Sequence, residues 1–259
     1  MKHKPWLIAA ACLLAAGLIL FGIVLALHGF DIDRVFPTQK YEHYEKRIDE
    51  TIHSVELRHS DGDIRLLPSP DGTCSVAYDL SQYEDCEYEV KDGTLRLRIT
   101  SDRPWYAWIG VGRTSTSITV YLPEGVYESV KLRTSSGDIR MRSLEAQTLE
   151  LSATSGDICA DGLRLAQLRA ETRSGEVKLT DVEAEHFTVS ATSGDIALEG
   201  CDGAALDLRA TSGDVKGTLR TGKRFDVSTS SGSVRVPADE GSDLCTIRTS
   251  SGDIRLRIE

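Results

Sequence analysis

Metal-ligand spacing, a nucleophile motif and a basic stripe are all missing from this 259-residue chain. Its six histidines (His3, His28, His43, His53, His59 and His186) share no ligand spacing, and its six cysteines contain no CxxC pair, which argues against a zinc site. A formal net charge of −10 argues against nucleic acid as a partner. Aromatic residues make up only 6%. Without a cluster of acids, bases or nucleophiles there is no basis for an enzyme, no catalytic residue to name, and no cofactor. A polysaccharide-active enzyme is correspondingly the least favoured function.

Charge is absent altogether from one long stretch. Trp6 to Leu27 is an uncharged run of 22 residues behind Lys2 and Lys4. As a helix it would extend about 33 Å at ~1.5 Å per residue, enough to cross a hydrocarbon core of about 30 Å. Ala26-Leu27-His28 makes a poor cleavage site, so residues 1–28 are expected to be a cytoplasmic tip and an uncleaved transmembrane signal anchor. The two lysines favour a cytoplasmic N-terminus and a body outside the membrane.

The remainder is dominated by a repeat. Gly137, Gly156, Gly175, Gly194, Gly213 and Gly232 are spaced nineteen apart, and Gly252 follows after twenty. Each is preceded by serine, and most are followed by an acid: Asp138, Asp157, Glu176, Asp195, Asp214 and Asp253. Apolar residues alternate with polar ones on both sides, as in Leu149, Leu151 and Ala153 before one corner and Ile158 and Ala160 after it. Nineteen residues are too few for a βαβ unit of about thirty. The pattern predicts an all-β, parallel β-solenoid of about 19-residue coils, stacked about 4.8 Å apart. Glycine is expected to supply a positive φ at each corner. Ser60-Asp61-Gly62-Asp63 and Asp92-Gly93 fit as degenerate corners. The domain plan is therefore 1–28, a stalk or N-terminal cap at 29–50, and one solenoid at 51–259.

"HSDGDIRL", "ITVYLPEGV" and the serial "TSSGDIR", "ATSGDI" and "TSSGDIRLRIE" units resemble the bacterial putative-adhesin family of β-strand-repeat proteins. The resemblance covers about 51–259. It implies a β-helix-like solenoid, a bacterial cell-envelope location and an unknown function, with no catalytic residues to carry over. The expected role is a membrane-tethered, extracytoplasmic, non-enzymatic binding or adhesin-like protein of the bacterial cell membrane. The alternative is an accessory or sensory protein of an envelope-stress system.

Candidate sites follow from what departs from plain repetition. Asp138, Asp157, Asp195, Asp214 and Asp253 form a column that could hold calcium, or could simply cap turns. Trp105, Tyr106 and Trp108 sit where the repeat is irregular and are partner-binding candidates. The chain ends inside a strand, so Arg255 and Arg257 are expected on an open edge that a partner or a second copy would cover. An envelope protein or polymer is the expected partner, besides the membrane itself through residues 6–27. Cys74 and Cys86 are the one plausible disulfide, while Cys159, Cys201 and Cys245 should be unpaired.

Overall fold

A computed structural model of the chain describes residues 5–27, 29, 41–102, 116–238 and 241–259. It divides into two compact units, Met1–Lys40 with Arg103–Thr114, and Tyr41–Asp102 with Ser115–Glu259. In the first, α1 spans Pro5–Leu27. The side chains of residues 5–8 and 11 lie outside the described set, and over the described residues no helix is long and apolar enough to cross a membrane. The expected transmembrane span is therefore not shown by the fold.

The second unit is all β. Its strands are β1 (Tyr41–Ile48), β2 (Ser54–His59), β3 (Asp63–Pro68), β4 (Cys74–Ser81), β5 (Glu84–Lys91), β6 (Thr94–Ser101), β7 (Ser117–Leu122), β8 (Val126–Thr134) and β9 (Ile139–Ala153). They continue with β10 (Ile158–Thr172), β11 (Val177–Ala191), β12 (Ile196–Ser212), β13 (Val215–Leu219), β14 (Arg224–Ser231), β15 (Val234–Arg235), β16 (Leu244–Ser251) and β17 (Ile254–Ile258).

The nineteen-residue period becomes a parallel ladder in strict register. Ile139 pairs with Ile158, Ile158 with Val177, Val177 with Ile196, and Ile196 with Val215. Within β10 the buried residues are Ile158 and Ala160, then Leu163 and Leu165, then Leu168, Ala170 and Thr172. Alternation slips by one residue twice, so each coil turns three sides inward and has two bends besides the Ser-Gly-Asp corner. Stacking like on like then buries each column completely: Ile139, Ile158, Val177, Ile196, Val215 and Ile254 are all at 0% exposure. At about 25 cal/mol per Å² of apolar surface, these columns are the main stabilising term.

Positive φ falls at a different bend from the one expected. Ser143 (φ 51°), Gly162 (67°), Asp181 (52°) and Gly200 (60°) recur every nineteen residues, just before the Leu144, Leu163 and Val182 column. Among the Ser-Gly-Asp glycines, the expectation of a left-handed corner fails. Their requirement is steric. A Cβ on Gly156 would overlap the carbonyl oxygen of Gly137, one on Gly175 that of Gly156, and one on Gly194 that of Gly175. At this corner the carbonyl of the neighbouring coil stands where a Cβ would be, and only hydrogen fits between them.

The order of coils differs from the order of the chain at both ends. β2 lies between β6 and β8, and β3 between β7 and β9, so the first coil is second in the stack. The last coil behaves likewise. β16 lies between β12 and β14, and β17 between β13 and β15. Gly252 accordingly packs on the carbonyl of Gly213, and Gly232 on that of Gly252. The open C-terminal edge expected at Arg255 and Arg257 is thus corrected in part: β17 pairs with β13 along its length and with β15 at Ile254 and Arg255, so Arg255 is covered on both sides and Arg257 on one. Among the described residues, β14 and β15 are paired on one side at that end, as is the last part of β17.

The other end is covered. β5 and β6 form an antiparallel hairpin whose Asp92-Gly93 turn has both φ values positive (51° and 68°), the geometry that matches strand twist. Asp92-Gly93 is therefore a hairpin turn, not a solenoid corner. β4 pairs antiparallel with β7, and β1 with β4, so Tyr41–Ile48 caps the stack rather than forming a stalk. β1 and β5 carry runs of charged residues, which discourage further strand addition.

Candidate functional site

The Ser-Gly-Asp corner is built by its neighbours. One carboxylate oxygen of Asp63 accepts the backbone N–H of Asp138 (3.0 Å), Asp138 that of Asp157 (2.9 Å), and Asp157 that of Glu176 (2.8 Å). Asp195 accepts from Asp214, Asp214 from Asp253, and Asp253 from Ser233. In Asp138, Asp195 and Asp253 the second oxygen meets a cation two residues on or in the next coil. Arg140 reaches Asp138 at 2.6 Å, Lys216 reaches Asp195 at 3.0 Å, and Arg255 pairs with Asp253. The Asp214 N–H, then Lys216, hold the Asp195 carboxyl below the usual carboxylate range. For Asp253 the Ser233 N–H leads, and the direction is the same. Every acid of the column suggested as a calcium ladder thus gives one oxygen to a backbone N–H, and Asp138, Asp195 and Asp253 give the other to an ammonium or guanidinium group. Among the described residues no group of three or more His, Cys, Asp or Glu side chains could hold a metal ion.

The threonine column completes the corner from inside. Thr134 donates to the carbonyl of Gly62 (2.9 Å), Thr172 to Gly156, Thr249 to Gly213 and Thr229 to Gly252. At the first corner His59 takes this place. Its Nδ1 accepts the N–H groups of Asp61 and Gly62, so the neutral ring carries its proton on Nε2 and donates to Thr116 Oγ1 at 3.1 Å. Thr116 donates on to Glu84, whose other oxygen accepts the N–H of Ser81. All four residues are buried. Desolvation pushes the His59 pKa down, against the attraction of Glu84. The arrangement is a structural relay, closed to solvent.

Lys223 is the other buried ion. Its side chain is 1% exposed and its ammonium donates to Asp202 (2.6 Å), Thr221 (2.7 Å) and Asp243 (3.2 Å). Asp202 belongs to β12 and Asp243 precedes β16, so this one cation ties the inserted last coil to its neighbour. Nothing in the sequence spacing marks it; only the threaded coil order brings the three together.

The cysteines are all free. Cys74 and Cys86, the expected pair, lie on β4 and β5, which do not pair with each other. Cys201 and Cys245 are buried as the apolar columns require, and burial pushes their thiols up to about 11 and about 12. Trp105, Tyr106 and Trp108 lie outside the described residues. Arg255 and Arg257 point outward from β17.

One outward face of the ladder holds a trough of about 390 Å³ across β2, β6, β8, β9 and β10. In-register pairing arranges its residues in rows. Thr94, Ser54 and Ser129 form a hydroxyl row, and Arg96, Glu56 and Lys131 a mixed row. Arg98, Arg58 and Arg133 form a row of one sign. Glu56 is shared between Arg58 (2.6 Å) and Arg96 (3.5 Å), Arg98 reaches Glu87 only at 4.0 Å, and Lys131 meets Glu150 at 3.4 Å.

A family model described as Toastrack DUF4097 matches residues 43–259. Solved structures with similar folds include one described as a putative adhesin from Bacteroides fragilis, at 14% identity and TM-score 0.50, covering 85% of this chain and 99% of that one. Another, described as a putative cell adhesion protein from Clostridium sporogenes, has 15% identity and TM-score 0.40, covering 85% and 100%. A third, described as a putative lipid binding protein from Parabacteroides distasonis, has 16% identity and TM-score 0.45, covering 84% and 97%. At such identities the likeness shows the fold alone. No curated protein matches the chain.

Proposed function

The chain belongs to the Toastrack DUF4097 family, and from that premise we propose that it is a membrane-tethered, extracytoplasmic, non-enzymatic protein that binds another component of the bacterial envelope, in the manner of an adhesin. The observation that carries the binding part is the outward flank of the ladder. Parallel pairing in register aligns side chains of successive coils in straight rows, and repeat scaffolds use such extended faces for recognition. Corner ladders fix those rows, so little ordering is left to occur on binding. The tethering part rests on the uncharged run Trp6–Leu27 behind Lys2 and Lys4.

Two measurements on the full chain test the reading. Ser228 is exposed on β14, so Ser228→Cys should be labelled in intact cells by a membrane-impermeant maleimide, above the parent chain. The protein should also stay in membranes washed with alkaline carbonate and capture isolated envelope fractions. Labelling only after lysis, or release by the wash, overturns the tethered topology; failure to capture envelope material overturns binding. The accessory or sensory role would share anchor and flank, and is separated by assaying the envelope-stress response in a strain lacking the gene.

A further inference from the structure

The other grooves of the β unit are lined by more acids than bases, or by equal numbers, which makes one trough stand apart. It is lined by Arg58, Arg96, Lys131, Arg133 and Arg169 against Glu56, Glu150 and Glu171, a surplus of two positive charges in a chain of net −10. Arg98 extends it along β6. Three arginines at one register on adjacent strands, about 4.8 Å apart, are an unfavourable arrangement that no structural need explains. Arg133 is exposed, and it enters none of the ion pairs that hold Arg58, Arg98 and Lys131.

Resting on the binding role proposed above, we infer that this trough takes a polyol-phosphate polymer. The Arg98–Arg58–Arg133 row would hold its phosphodiesters, and the hydroxyl row Thr94–Ser54–Ser129 its polyol units. Guanidinium forks match the oxygens of a phosphate in a two-point geometry, and a row about 9.6 Å long spans more than one charge of an extended chain. A carboxylate polymer such as a polyuronate would satisfy the charge and the two-point geometry, but it carries its carboxylates on stiff rings, whereas a phosphodiester lies in a flexible chain that can follow the row. The hydroxyl row lies four residues along the same strands, about 13 Å away at ~3.3 Å per residue, so a polymer seated along the arginines reaches it where the chain turns to run with the strands. Glu56, between the two rows, pairs with Arg58 and Arg96 when the site is free, and the polymer's charge would compete with it for both.

The test is a titration of the full chain in neutral detergent with fluorescein-labelled poly(glycerol phosphate), set beside polygalacturonate of matched charge and phosphatidylglycerol in the same detergent. Poly(glycerol phosphate) should bind at least tenfold tighter than polygalacturonate, and more weakly as salt rises. Arg133→Ser should cost at least fivefold with an unchanged unfolding midpoint, and Arg98→Ser a similar factor. Arg164→Ser, on another face beside Glu145, should cost nothing. Equal affinity for the two polymers, full affinity in both row variants, or binding to phosphatidylglycerol alone each overturns the inference. Capture of envelope material without affinity for poly(glycerol phosphate) overturns it while leaving the proposed function standing. Affinity for the polymer by a protein labelled only after lysis does the reverse.

Discussion

A methyl group on Gly156 would overlap the carbonyl of Gly137, and the backbone of a stacked coil cannot retreat without opening the columns beside it. Gly156→Ala should therefore cost about 3 kcal/mol, at the upper range of overpacking. Gly162 offers a control. A Cβ added there would have its nearest neighbour at 3.8 Å, so Gly162→Ala meets open space and bears only the strain of φ 67°, about 1 kcal/mol. Urea unfolding of both variants checks the order; equal losses would refute the steric account. His59 adds a pH dependence at the same scale. Its folded pKa lies below the ordinary 6.5, so below pH 6.5 the unfolded chain binds a proton that the folded chain resists. Stability is present in full above pH 6.5 and is lost as pH falls from there through the folded value. His59→Gln should flatten that stretch of the stability–pH curve. The Asp195 contribution, lost only as pH falls below the usual 3.8, stays in place.

At the scale of the element, one Asp supports the next coil's backbone. Asp157→Ala removes the acceptor for the Glu176 N–H and should cost about 1 kcal/mol, whereas Asp157→Asn keeps an acceptor oxygen and should cost less. Calcium should leave the unfolding midpoint of the parent chain unchanged, because each acid of the column already gives an oxygen to the backbone of a neighbouring coil. Much of this was legible in the sequence. The period of nineteen gives register, and the alternation around Leu149, Leu151, Ile158 and Ala160 gives the inward face, because both follow from local geometry repeated many times. The second corner was harder to see, since glycine marks it only at Gly162 and Gly200, while Ser143 and Asp181 hold the same left-handed backbone in the other coils. The rows of the basic trough were illegible, because Arg58, Arg98 and Arg133 are neighbours only once β6 and β2 are known to pair.

At the scale of the molecule, coil order is what the sequence withholds. Each coil presents nearly the same columns above and below, so Phe225 or Cys245 can sit on Leu206 with little difference in local packing. The choice is made by non-repeating contacts, chief among them Lys223 bridging Asp202 and Asp243. Lys223→Met would leave Asp202 without its cation and unfasten the inserted coil. Because both acids keep some solvent, the loss should be about 2–3 kcal/mol, less than for a fully buried pair. The threaded order also reverses where fraying begins. In a simple stack the last strands in sequence would open first. Here β16 is paired on both sides, as is β17 at Ile254 and Arg255, while β14 and β15 are paired on one, with Val234 exposed and Phe225 and Val227 only half-buried. Amide hydrogen exchange on the full chain should therefore find β16 and the start of β17 protected close to the level of β11, and β14 and β15 exchanging at least tenfold faster. Protection that instead declines steadily toward Glu259 would refute the insertion. In Lys223→Met the exchange of β16 should rise toward that of β14, since the cation is the tie that holds the inserted coil against β12.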